Sequence, residues 1–134
     1  MAAIAVSPFI LRDVTLLIGT DNYETHTSQV EFTPTASQVS WTGLGNNTVT
    51  SQTTATWVCT LALAQDWDTP DSLSQYLMDN EGIPVACTFT PADGQGSFAS
   101  TITPTPGAIG GVAGAFAVAT VTLGCTKPVF TPAV

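Results

Sequence analysis

The sequence predicts a mainly β protein: an antiparallel β-sandwich or barrel with one short helix. Three observations predict it. Apolar and polar residues alternate in one run after another. Clusters of Gly, Pro, Asn and Asp separate those runs. A single stretch repeats at helical spacing. A chain of 134 residues suits one domain that buries a core without staples. Residues 1–134 therefore read as one β domain, with flexible arms at about 1–10 and 128–134.

The clearest strand is "TATWVCTLAL" at 54–63. Its odd positions are Ala55, Trp57, Cys59, Leu61 and Leu63; its even positions are mostly Thr. That is the pattern of a half-buried strand. Val14, Leu16 and Ile18 mark an earlier strand, and Val30 with Phe32 another. Val39 and Trp41 follow, then Val85, Cys87 and Phe89, then Phe98 and Ile102. Trp41 and Trp57 take in-facing positions and are expected in the core. The last run, "AFAVATVTLGC", is apolar on both faces in its first half. Burial on both sides, or a contact between subunits, would explain that. The turns "GTDNY", "FTPTASQ", "TGLGNNT", "PADGQG" and "PTPGAIGG" punctuate roughly seven or eight strands, as in a sandwich or barrel.

The helix is expected at 69–80. Thr69 would cap it, Pro70 and Asp71 suit its first turn, and Gly82 would end it. Leu73, Tyr76 and Leu77 form its apolar stripe. Trp67, at the preceding corner, should pack the helix onto the sheet.

Reactive groups are sparse. Asp66, Asp68 and Asp71 approach calcium-loop spacing, but Pro70 occupies the third ligand position and the turn glycine is missing. They read as helix-start carboxylates, so no metal is expected and a chelator should leave the melting temperature unchanged. His26 is the sole histidine, and no nucleophile elbow accompanies it. "PGAIGGVAGA" fits no phosphate-loop spacing. No catalytic residue and no cofactor is therefore expected. Three isolated cysteines do not match zinc spacing and read as buried free thiols of a reducing compartment. Asn46 opens an "NNT" sequon, read as chance. The apolar start lacks a basic region and Pro8 interrupts it, unlike a signal peptide.

Charge narrows the partners. Arg12 and Lys127 are the only Lys or Arg residues, and the net charge is −8. Two cations cannot displace the counterions of a nucleic acid, and an anionic membrane is disfavoured for the same reason. Natural sheet edges are guarded by Lys, Pro or bulges. These Thr- and Val-rich strands have few guards, which suggests that neighbouring copies cover the edges.

The segments "LRDVTLLIGTDNYETHTSQVEFTPTASQVSWTGL", "ATWVCTLALAQDWDTPDSLSQYLMDNEG", "VACTFTP" and "TPTPGAIGG…AVATVTLG" together resemble the major tail (tail tube) protein of long-tailed, non-contractile bacteriophages. The resemblance spans roughly residues 11–124. It implies a tail-tube-like β domain whose copies form rings, six to a ring, stacked into the tube through which the genome leaves the virion. Its partners would be itself and other tail proteins at the tube ends. DNA would pass without specific binding, and no membrane would be involved. The protein would be made in the host cytoplasm and end in the virion tail. By the same resemblance the long loop 42–54, with Gly43, Leu44, Gly45, Asn46 and Asn47 at its heart, carries ring stacking together with the terminal arms. Glu31 would be a carboxylate facing the lumen. The competing expectation is a carbohydrate-binding or virion surface-decoration β-sandwich, which an exposed tryptophan would mark.

Overall fold

Alternation places every second side chain of a strand on one face, and here one such face closes over a common core. The computed structural model describes residues 2–92 and 94–132. Met1, Ala133 and Val134 of the expected arms, and Asp93 of the "PADGQG" turn, lie outside them. The strands are β1 (Thr15–Ile18), β2 (Asp21–Asn22), β3 (Thr27–Thr35), β4 (Gln38–Thr42), β5 (Thr48–Gln52) and β6 (Thr56–Ala64). The helix α1 (Leu73–Asp79) follows, then β7 (Val85–Thr90), β8 (Ser97–Ile102), β9 (Val118–Cys125) and β10 (Val129–Thr131).

The fold is mainly β, antiparallel and sandwich-like, with one short helix. The main sheet runs β2-β1-β7-β8-β9-β6-β3, and β10 pairs with β8. β8 and β9 are joined through the pair Ile102↔Cys125. The sheet turns there, so that β3 lies over β7 with the Phe32 and Phe89 rings 6.1 Å apart. It does not close into a barrel, because β3 pairs with β6 and its other edge stays open. Leu16, Ile18, Cys59, Leu61, Cys87, Ile102 and Leu123 fill the core from the strands.

Leu73 and Leu77 bring the helix face into the same core, and Tyr76 lies 5.8 Å from Tyr23. The helix is shorter than the expected 69–80. Asp71 takes a left-handed backbone conformation (φ 59°), which no helical turn contains. Ser72, not Thr69, is therefore the cap: its Oγ accepts from the Gln75 amide at 3.4 Å. Asp71 instead offers its carbonyl to the Tyr23 hydroxyl at 3.0 Å. At the far end Asn80 caps the helix, ahead of Gly82.

Three further expectations are corrected. Residues 129–131 are not part of a free arm, because Val129–Thr131 pairs with Ala99, Phe98 and Ser97. Gly96 allows that approach; a Cβ there would meet the Phe130 ring at 2.5 Å. Trp41 is not in the core but 63% exposed, on a hairpin that leaves the body. The run "AFA" before β9 is likewise outside any strand, with Ala115 and Phe116 exposed and Ala117 half-buried.

Candidate assembly surfaces

β4 and β5 form a two-stranded sheet of their own, with Trp41 opposite Val49 and Val39 opposite Ser51. All ten strand positions are exposed. The two strands pack on each other and make no substantial contact with any other element. Alternation gives this hairpin an apolar face, Val39, Trp41 and Val49, and a polar face where the Thr42 and Thr48 hydroxyls meet at 3.3 Å. The segment 42–54, expected as a loop, is thus mostly the second strand and its flanks. β-branched Thr and Val favour extension there. Gly43, Leu44, Gly45, Asn46 and Asn47 are the turn, and Asn46 supplies its left-handed residue (φ 65°). The Gly43 amide donates to the Asn47 carbonyl at 2.8 Å.

Beside the hairpin's base lies an apolar groove of about 560 Å³. Val30, Phe32, Trp57, Phe89 and Phe98 line it, Phe9 and Leu11 of the N-terminal arm form one wall, and Lys127 and Glu31 reach its rim. The arm itself, residues 2–11, is exposed throughout, with Ile4, Val6 and Ile10 open to solvent.

The outer face of β3, β6 and β9 is dominated by hydroxyls. Glu31, Thr60 and Thr122 lie side by side in register. Glu31 accepts from the Gln29 side-chain Nε2 at 3.3 Å and the Thr33 hydroxyl at 3.2 Å. A carboxylate held by neighbours on its own strand is positioned without any cation.

Trp67 is half-buried at the corner before the helix, where its carbonyl accepts from the Gln75 side chain. Asp66 shapes this corner: its Oδ1 accepts the amides of Asp68 at 3.2 Å and Thr69 at 3.1 Å. Donation from Thr69, side chain first and amide second, holds the Asp66 carboxyl below the usual range. The acidic run is thus used as turn chemistry. Among the described residues no group of three His, Cys, Asp or Glu side chains could hold a metal ion. His26 packs edge-on against Tyr23, ring centroids 5.6 Å apart. The three cysteines are free, with Cys59 and Cys87 buried. Burial pushes the Cys87 thiol up to about 12 and the Cys59 thiol in the same direction, so both are protonated and inert at neutral pH.

No protein-family model and no curated protein matches the chain. Among the described residues no helix is long and apolar enough to cross a membrane. Sequence reasoning missed the groove, because its walls come from four separate strands and the arm. The exposure of Trp41 had a signal in sequence: the breaks "TPTASQ" and "TTA" on either side of 38–52 detach the hairpin from β3 and β6.

Proposed function

We propose that this chain is a structural virion protein whose copies oligomerise into rings, six to a ring, stacked as the tail tube of a long-tailed, non-contractile bacteriophage. The observation that carries the reading is the hairpin 38–52. An isolated two-stranded hairpin is marginal in water, and this one exposes Val39, Trp41 and Val49, with no other element packed on it among the described residues. A neighbouring copy supplies the missing layer. The hydroxyl-rich face around Glu31 supports the same reading as a lumen wall, since a net charge of −8 repels a passing polyanion and leaves it no adsorbed state. The proposal assigns no catalytic residue, metal or cofactor. The protein would work in the virion tail after synthesis in the host cytoplasm, with other tail proteins at the tube ends.

Negative-stain electron microscopy over a range of concentrations tests this. Hollow tubes or stacked rings of uniform width are the expected result. Monomers alone at every concentration would count against it. The exposed Trp41 also favours a second reading, a carbohydrate-binding or surface-decoration module, because an exposed indole is a natural sugar platform. Quenching of Trp41 fluorescence by sugars, lost in Trp41→Phe, would select that reading.

A further inference from the structure

The two ends of β6 carry opposite and matching features. At its Trp57 end lies the aromatic groove. At its Ala64 end the chain passes into Gln65, which clamps the loop 105–117. The Gln65 side chain donates to the carbonyls of Gly110 and Val118 and accepts from the Gly110 amide, each at 2.9 Å. The Gln65 amide donates to the Ala117 carbonyl at 3.0 Å. Beyond these clamps the tip stands open: Phe116 is 95% exposed and Val112 80% exposed, with Ile109 and Val118 beside them. Trp57 and Gln65 are eight residues apart on an extended strand, roughly 26 Å at about 3.3 Å per residue.

The two ends also differ in charge. Residues 94–126 contain no charged side chain, so the tip is neutral. Asp66 and Asp68 follow directly behind its clamp. Both Lys or Arg residues of the chain are at the other end, each with a carboxylate nearby: Lys127 and Glu31 line the groove, and Arg12, followed by Asp13, adjoins Leu11 of its wall. A knob at one end and a socket at the other, on one subunit, make a heterologous contact, which repeats from copy to copy.

We propose that the loop 105–117 of one copy seats in the groove of the next, with Phe116 anchored among Phe32, Trp57, Phe89 and Phe98. The occupant of the groove is thus a second copy of this chain. The aromatic socket receives an aromatic ring. Arg12 and Lys127 of the receiving copy then approach Asp66 and Asp68 of the inserting copy. The clamp at Gln65 presents the tip in one conformation, so little order remains to be imposed on binding. This contact rests on the assembly reading and specifies its head-to-tail step.

The test replaces Phe116 by p-benzoylphenylalanine in the full chain, a position exposed enough to leave folding intact. Isotope-labelled wild-type protein is mixed in at high concentration, irradiated, and the adducts mapped by mass spectrometry. The same mixture is viewed by electron microscopy. Expected are intermolecular adducts concentrated on Phe98, Trp57 and Leu11, falling several-fold when the labelled copy carries Lys127→Glu at low salt. Rings or tubes with adducts elsewhere, or with no intermolecular adduct, would overturn the contact and leave the assembly reading standing. Monomers without any intermolecular adduct would overturn both.

Discussion

Strand β6 and the hairpin 38–52 are written in the same alphabet and meet opposite fates. In β6, Cys59, Leu61 and Leu63 alternate with Thr and Ala, and all three are buried. In the hairpin, Val39, Trp41 and Val49 alternate with Ser, Thr and Gln, and all three are exposed. β6 is paired on both sides, with one bulge between Thr27 and Gln29 of β3, and the hairpin strands pair with each other in continuous register. The difference is the layer opposite. β6 shares its core with Cys87 and Phe89 of β7 and Leu73 and Leu77 of the helix, whereas among the described residues no other element packs on the hairpin. Alternation creates an apolar face; only a partner layer turns that face into stability. The hairpin therefore keeps its apolar face in solvent; the proposed assembly would cover it.

The comparison breaks most visibly at β6. Leu61→Ala should destabilise the monomer by about 2–5 kcal/mol, since it opens a cavity in a closed core. Denaturant unfolding measures it, and a loss below about 1 kcal/mol would show that the body is as loosely covered as the hairpin.

A smaller effect is expected at the corner that holds the helix against β6. Ser72→Ala removes the cap on Gln75 and the bond from the Ser72 hydroxyl to the Asp66 carbonyl. The expected loss is about 1 kcal/mol. A thermal melt with no shift would mean that core contacts of Leu73 and Leu77 hold the helix unaided.

Tyr23→Phe should lose about 0.5–1.5 kcal/mol with the bond to the Asp71 carbonyl. It should also change the alkaline limb of stability. Burial first, and the Asp21 carboxylate second, push the Tyr23 phenol up to about 12 from 10.0. The folded state then holds this proton more tightly than the unfolded state. Its contribution is complete below pH 10 and is lost as pH rises toward 12. Stability measured across that window should fall less steeply in Tyr23→Phe than in the parent; equal slopes would refute the assignment.

The smallest effect on the monomer belongs to the hairpin. Trp41→Ser should change monomer stability by no more than about 0.5 kcal/mol, and the proposed assembly predicts that rings and tubes seen with the parent protein are lost with it. Hydrogen exchange sharpens the contrast. Amides at 38–52 should exchange far faster than those of β6 in the monomer and become protected on assembly. A destabilised monomer would mean that the hairpin folds back on its own body.

Much of the body was legible from periodicity. Leu16, Ile18, Val30, Cys59, Leu61, Cys87 and Ile102 stand where alternation puts them. The helix face follows from the spacing of Leu73, Tyr76 and Leu77, but its start does not. Thr69, Pro70, Asp71 and Ser72 each suit a helix N-terminus, and the choice fell to Ser72 because the Tyr23 hydroxyl engages Asp71 from 48 residues away. Of the candidate surfaces, the turn Gly43–Asn47 could be located in advance, whereas the groove could not.

The sequence by itself determined the antiparallel β class, the faces of the strands, the single helix and the poverty of cations. These follow from local periodicity and composition, which each segment carries alone. The tertiary structure decided which apolar faces are covered. Trp57 borders the groove while Trp41 stands in solvent, and Val129–Thr131 docks on β8 instead of trailing free. Burial depends on what lies opposite a face, and that is set by residues distant in the chain.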